Sequence, residues 1–120
     1  MNPYDKAHEL VRALRESEEY RTMKQSVDQV SGDDQAKRMI TDFHMKQLEF
    51  ERNRLLGQEP TQEDQEDLQK LYDVLQLHTA VRDYLRAEYQ FGMIIQDIQK
   101  ILSDALEEIT IMPELTEGSV

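Results

Sequence analysis

The sequence predicts an all-α protein: an antiparallel helical bundle of about five helices, two of them long, at about residues 33–56 and 78–109. Three observations carry this. Large apolar residues recur at steps of three and four through most of the chain, above all in the Pro-free run HTAVRDYLRAEYQFGMIIQDIQKILSDALEEI at 78–109. Few stretches alternate apolar and polar with a period of two. With four glycines in 120 residues and 32% charged side chains, long solvated helices are favoured over a sheet protein.

The first helix is announced by Asn2-Pro3, a capping side chain followed by a proline where the missing N–H costs nothing. Tyr4, Ala7, Val11 and Leu14, with Leu10 beside them, form its apolar face. Ser17, with Glu18 and Glu19 after it, reads as a new cap with acids at the positive end of a helix, so a break is expected near Glu16-Ser17. Tyr20, Met23, Val27 and Val30 then define the second face, and Ser31-Gly32 stops it, with Gly32 expected in the left-handed conformation.

Asp33-Asp34 starts the third helix, whose stripe is Ala36, Met39, Ile40, Phe43, Gln47, Phe50 and Leu55 or Leu56, with Leu48 on a flank. At 1.5 Å per residue it is roughly 35 Å long. Gly57-Gln58-Glu59-Pro60 is the clearest loop. Thr61 with Asp64 three residues later is a capping-box variant that opens the fourth helix, which carries Leu68, Leu71, Tyr72 and Leu75. A hinge at Leu77-His78-Thr79 leads to the last helix. Its stripe is Val81, Tyr84, Glu88, Phe91, Ile95, Ile98, Leu102, Ala105 and Ile109, widened by Leu85, Ile94, Ile101 and Leu106. A surface that broad must be covered by other helices. The pattern decays after Ile109, so a single domain over 1–109 and a loose tail over 110–120 are expected.

The formal net charge of −11, from 25 acidic against 14 basic residues, argues against direct nucleic-acid binding, because phosphate contacts need clustered Lys and Arg. The absence of cysteine excludes disulfides, thiolate metal sites and cysteine-held iron–sulfur clusters. No secretory signal and no run of 18 apolar residues is present, so a cytoplasmic protein without membrane insertion is expected.

Chemistry-bearing motifs are sparse. His8, His44 and His78 lie in different elements, no HExxH or calcium loop occurs, and no nucleophile stands in a recognisable motif. No catalytic, cofactor or metal residue is therefore assigned. Glu88 stands out as a carboxylate inside an apolar stripe, which needs hydrogen bonds or a cation. The bland account is an edge position paired with Arg38 or Arg52; the functional one is a ligand or metal site shared with His44 or His78. Gly92 in mid-helix costs roughly 1 kcal/mol against Ala, so a neighbouring helix is expected to come close there.

Taken together, NPYDKAHELVRALRESEEYR, DDQAKRMITDFHMKQLE, GQEPTQEDQEDLQKLYDVL and VRDYLRAEYQFGMIIQDIQKIL resemble the YlbF/YmcA-like family of small bacterial helical proteins, nearest its short YheA-type branch. The resemblance covers roughly residues 2–107. It implies a cytoplasmic bacterial protein that associates into dimers or larger oligomers and acts without catalysis. Better known relatives join a three-protein complex influencing competence, sporulation, biofilm formation and mRNA processing. Some carry iron–sulfur cysteines, which this chain lacks.

The expectation is thus a non-enzymatic adaptor or regulator, a homodimer or higher homo-oligomer with a protein partner. Phe43, Phe50, Tyr84, Glu88, Tyr89, Phe91, Gly92, Ile95 and Ile98 are its candidate packing and interface residues. The alternative is a ligand- or metal-binding helical protein using Glu88 and a histidine.

Overall fold

The structure, a computed structural model, describes residues 2–111. Five helices follow in order: α1 Pro3–Glu16, α2 Glu18–Ser31, α3 Asp34–Leu55, α4 Gln62–Leu75 and α5 Thr79–Leu106, with a 3-10 turn over Glu107–Ile109. No strand occurs among the described residues.

Local chemistry sets the boundaries. Asn2 accepts from the Tyr4 N–H at 2.8 Å ahead of Pro3. Ser17 serves two helices: its hydroxyl donates to the Leu14 carbonyl at 2.6 Å and accepts the Tyr20 N–H at 3.2 Å. One residue therefore closes α1 and opens α2, and the chain breaks where expected. Thr61 and Asp64 form the reciprocal capping box. Gly32 departs from expectation. Its φ of −86° and ψ of 0° are right-handed; the left-handed glycine among the described residues is Gly57, after α3, with a φ of 83°. Asp33 caps α3 directly after Gly32, so the connection needs no left-handed residue.

α2 lies antiparallel along the first half of α5. The Tyr20 ring meets Phe91 edge-on at 6.0 Å, while Val30 at the far end of α2 joins Val81 in the core. α3 and α4 close the other side, where Ala36, Ile40, Phe43 and Leu75 complete the buried cluster with Leu85, and Phe43 packs on Tyr72 at 5.9 Å between ring centres. α2 buries Ser26 and Val30 and leaves Val27 exposed, unlike the stripe read from the sequence. Ser26 and the buried Ala87 both border the α2–α5 seam, where small side chains let two helices approach.

The molecule is flat and long, 48 × 38 × 16 Å, with a radius of gyration of 17.8 Å against about 14 Å for a packed domain of this length. α1 buries no residue, and every residue from 99 to 111 is exposed. The core therefore sits in one half of the molecule. The other half carries apolar side chains that no other described residue covers.

Candidate functional site

Glu88 sits on the α5 face that turns towards α3. His44 of α3 approaches its Oε1 at 2.9 Å through Nε2, and the Tyr84 hydroxyl, one turn earlier on α5, donates to Oε2 at 2.7 Å. Both carboxylate oxygens are thus engaged, so a half-buried charge is tolerated in an apolar stripe. The sequence expectation of Arg38 or Arg52 as partner is corrected: histidine and tyrosine take that place. Burial, then the hydrogen bond and the negative charge of Glu88, push the Tyr84 phenol above its ordinary value, so it stays a donor to high pH.

His78 is not part of this cluster. Its Nδ1 accepts the Val81 N–H at 3.4 Å as the cap of α5, and its Nε2 lies 3.3 Å from Asp33 Oδ2. Asp33 in turn caps α3 by accepting the Ala36 N–H at 3.1 Å. Two helix starts are thereby joined through their capping side chains. That backbone hydrogen bond from Ala36, helped by His78, holds the Asp33 carboxyl below its ordinary value. His44 and Glu88 do come together, as a direct hydrogen bond, but no group of three or more metal-ligating side chains occurs among the described residues.

Beside Glu88 opens a cleft of about 510 Å³, floored by α5 and walled by α3 and α4. Arg82, Arg86, Tyr89, Met93 and Gln96 line it from α5, at steps of four and three. Phe43 and Gln47 of α3 and Tyr72 and Gln76 of α4 face them. Gly92 also lines it, and a Cβ placed there meets nothing within 4 Å. The close neighbour expected at Gly92 is therefore not supplied by the described residues. Its missing side chain deepens the cleft instead.

The remaining candidates separate by position. Phe43 is core, Tyr84 packs against the core, and Phe50 is half-buried beside the α3–α4 loop. Tyr89 is 70% exposed over the cleft. Phe91, Ile95 and Ile98 are half-buried, at the point where α5 leaves the core and begins its exposed half. Sequence reasoning passed over Arg82 and Arg86, although a pair of arginines four apart, continued by Tyr89 and Met93 on the same face, was a readable signal.

Comparison with known proteins decides the family. The model described as "Control of competence regulator ComK, YlbF/YmcA" matches residues 4–107. The chain belongs to this family. A UPF0342 protein of Symbiobacterium thermophilum is 42% identical over 104 residues, covering 87% of this chain and 93% of its own. One from Caldicellulosiruptor bescii is 42% identical over 106 residues, with 88% and 89% covered. Among solved structures, a DUF964 protein of Bacillus stearothermophilus superposes with a TM-score of 0.72 at 25% identity, over 92% of this chain and 100% of that one. A chain of the Bacillus subtilis RicA–RicF complex shares the fold at a TM-score of 0.52 and 20% identity, over 88% of this chain and 93% of that one. The family is thus described by regulation, and no helix of the described residues is long and apolar enough to cross a membrane.

Proposed function

We propose that this chain is a non-enzymatic contact protein of the bacterial cytoplasm, a homodimer that acts as an adaptor or regulator through its helical faces. The observation that carries the proposal is the uncovered half of the molecule. Ile101, Leu102, Leu106 and Ile109 on α5 and its 3-10 turn, and Tyr4, Leu10 and Val11 on α1, are all exposed. Among the described residues there are three times as many exposed large hydrophobics as buried ones (18 against 6, leaving aside the buried Ala36 and Ala87). Scattered exposed apolar residues are ordinary, but two amphipathic helices with bare apolar faces mark an interaction surface.

A second copy is the occupant that suits this geometry. α1 and the distal half of α5 are of similar length and both amphipathic, so two molecules related by a twofold axis bring four such helices into one bundle. Phe91, Ile95 and Ile98 form the near edge of that interface. Charge is sparse on part of this face: the stretch from Ile94 to Leu102 holds only Asp97 and Lys100 as charged residues. The membership of a family described by competence control supports a regulatory role, and the RicA–RicF complex shows that this fold can present a surface to another protein. The process served is proposed to be of that regulatory kind.

The test is Leu102→Glu, at a residue that is 57% exposed and so dispensable for the fold of one subunit. Size-exclusion chromatography with light scattering should show a dimer for the wild type and a monomer for the variant, with unchanged helicity by circular dichroism. A wild-type monomer, or a variant that remains dimeric, would sink the proposal.

A further inference from the structure

The cleft beside Glu88 has a chemistry that the contact reading does not use. Two arginines line it, Arg82 and Arg86, one turn apart on α5. Their like charges repel at that spacing. In a chain of net charge −11, carboxylates to neutralise them are plentiful, yet none among the described residues does so closely. Arg82 lies 3.9 Å from Asp83, the outer limit of an ion pair and half-exposed to water, and its Nε is buried with no hydrogen-bond partner. Arg86 forms no ion pair among the described residues. The single carboxylate of the lining, Glu88, already has both oxygens engaged by His44 and Tyr84. The cleft therefore holds two cationic forks and one committed anion.

The rest of the lining indicates what accompanies the anion. Phe43, Tyr72, Tyr89 and Met93 present flat and polarisable apolar surface, and Gly92 leaves the floor open. A volume of about 510 Å³ is in the range that holds a small organic molecule. We infer that this cleft binds a small organic anion, a carboxylate or phosphate ester carried on a planar apolar body. The anionic group would lie against Arg82 and Arg86, and the flat body against Tyr72, Tyr89 and the open floor at Gly92. Turning the Arg82 Nε edge towards the cleft gives the side-on, two-bond geometry in which arginine holds such oxygens, and at the same time ends the isolation of that nitrogen.

This inference does not depend on dimerisation: the exposed residues at the centre of the proposed dimer face, Leu102, Leu106 and Ile109, lie beyond Gln96, the last cleft residue on the chain. The test uses the full chain with phenyl phosphate and benzoate as probes, followed by calorimetry and by NMR shifts at low ionic strength. Inorganic phosphate and benzyl alcohol isolate the charge and the ring. The expected result is binding of at least one aryl anion with a Kd of about 1 mM or tighter. Inorganic phosphate should bind more weakly and benzyl alcohol not detectably, and the tighter of the two aryl anions identifies the head group.

Arg82→Gln and Arg86→Gln should each weaken binding about tenfold or more, the loss of a charge-assisted hydrogen bond. Arg12→Gln on α1 removes the same charge and should leave binding unchanged. Circular dichroism melts verify that each variant is folded. The inference is overturned if neither aryl anion binds, if benzyl alcohol binds as well as benzoate, or if the cleft variants behave like Arg12→Gln. Binding that weakens as protein concentration rises would overturn it too, because a second copy would then cover the cleft.

Discussion

Replacing Gly92 by alanine separates two accounts of the middle of α5. A glycine inside a helix is less stable than alanine by about 0.5–1 kcal/mol, because it loses more backbone freedom on folding. Offsetting contacts would be expected if another backbone lay against it. Among the described residues there are none: an added methyl meets nothing within 4 Å and would project into the cleft. The full helix-propensity gain should therefore be realised. With an unfolding entropy of about 2.1 cal/mol/K per residue, a chain this long gains roughly 2–4 °C in melting temperature. Differential scanning calorimetry at two protein concentrations is the assay. A lower melting temperature would refute the reasoning and show that a surface from outside the chain, such as a second copy, packs directly on Gly92. The variant should also bind phenyl phosphate more weakly, since the methyl narrows the cleft floor.

Other consequences follow from the same geometry. Leu75, 1% exposed in a small core, should cost about 3 kcal/mol when truncated to alanine, measured by urea denaturation. Tyr84→Phe removes a hydrogen bond to a half-buried carboxylate and should cost about 1 kcal/mol near neutral pH. The Tyr84 phenol is raised above its ordinary value of 10.0, so the folded chain holds that proton more tightly than the unfolded one. Its stabilising contribution is complete below about pH 10 and declines as pH rises further, and Tyr84→Phe should flatten this alkaline decline in melting temperature. Asp33 has the opposite sign: its carboxyl is lowered from 3.8, so its contribution is present above that pH and lost as pH falls through the folded value. Asp33→Asn keeps a capping oxygen but removes the charge, and should make the acid limb of the stability profile shallower.

The helices and their ends were legible because they depend on neighbours in sequence. Asn2-Pro3, Ser17, Asp33 and the Thr61–Asp64 pair act within four residues, and each stands where the pattern places it. What failed depends on contacts between distant segments. Val27 ranks above Ser26 in hydrophobicity, yet the α2–α5 seam selects the smaller side chain. The partner of Glu88 lies 44 residues away, and a basic residue was a reasonable guess until the register of α3 on α5 set His44 there. Gly92 stands out in the sequence as a mid-helix glycine, but the space it leaves becomes visible only once three helices enclose it. The cleft belongs to the same class: its arginines are plain in the sequence, and their lack of partners is not.

The central claim is that the bare faces of α1 and distal α5 meet those of a second copy. Sedimentation equilibrium of the wild-type chain over micromolar concentrations tests it most directly. The account predicts twice the 14.2 kDa chain mass, falling to a single chain mass for Leu102→Glu. A wild-type protein that sediments at 14.2 kDa throughout that range would contradict it.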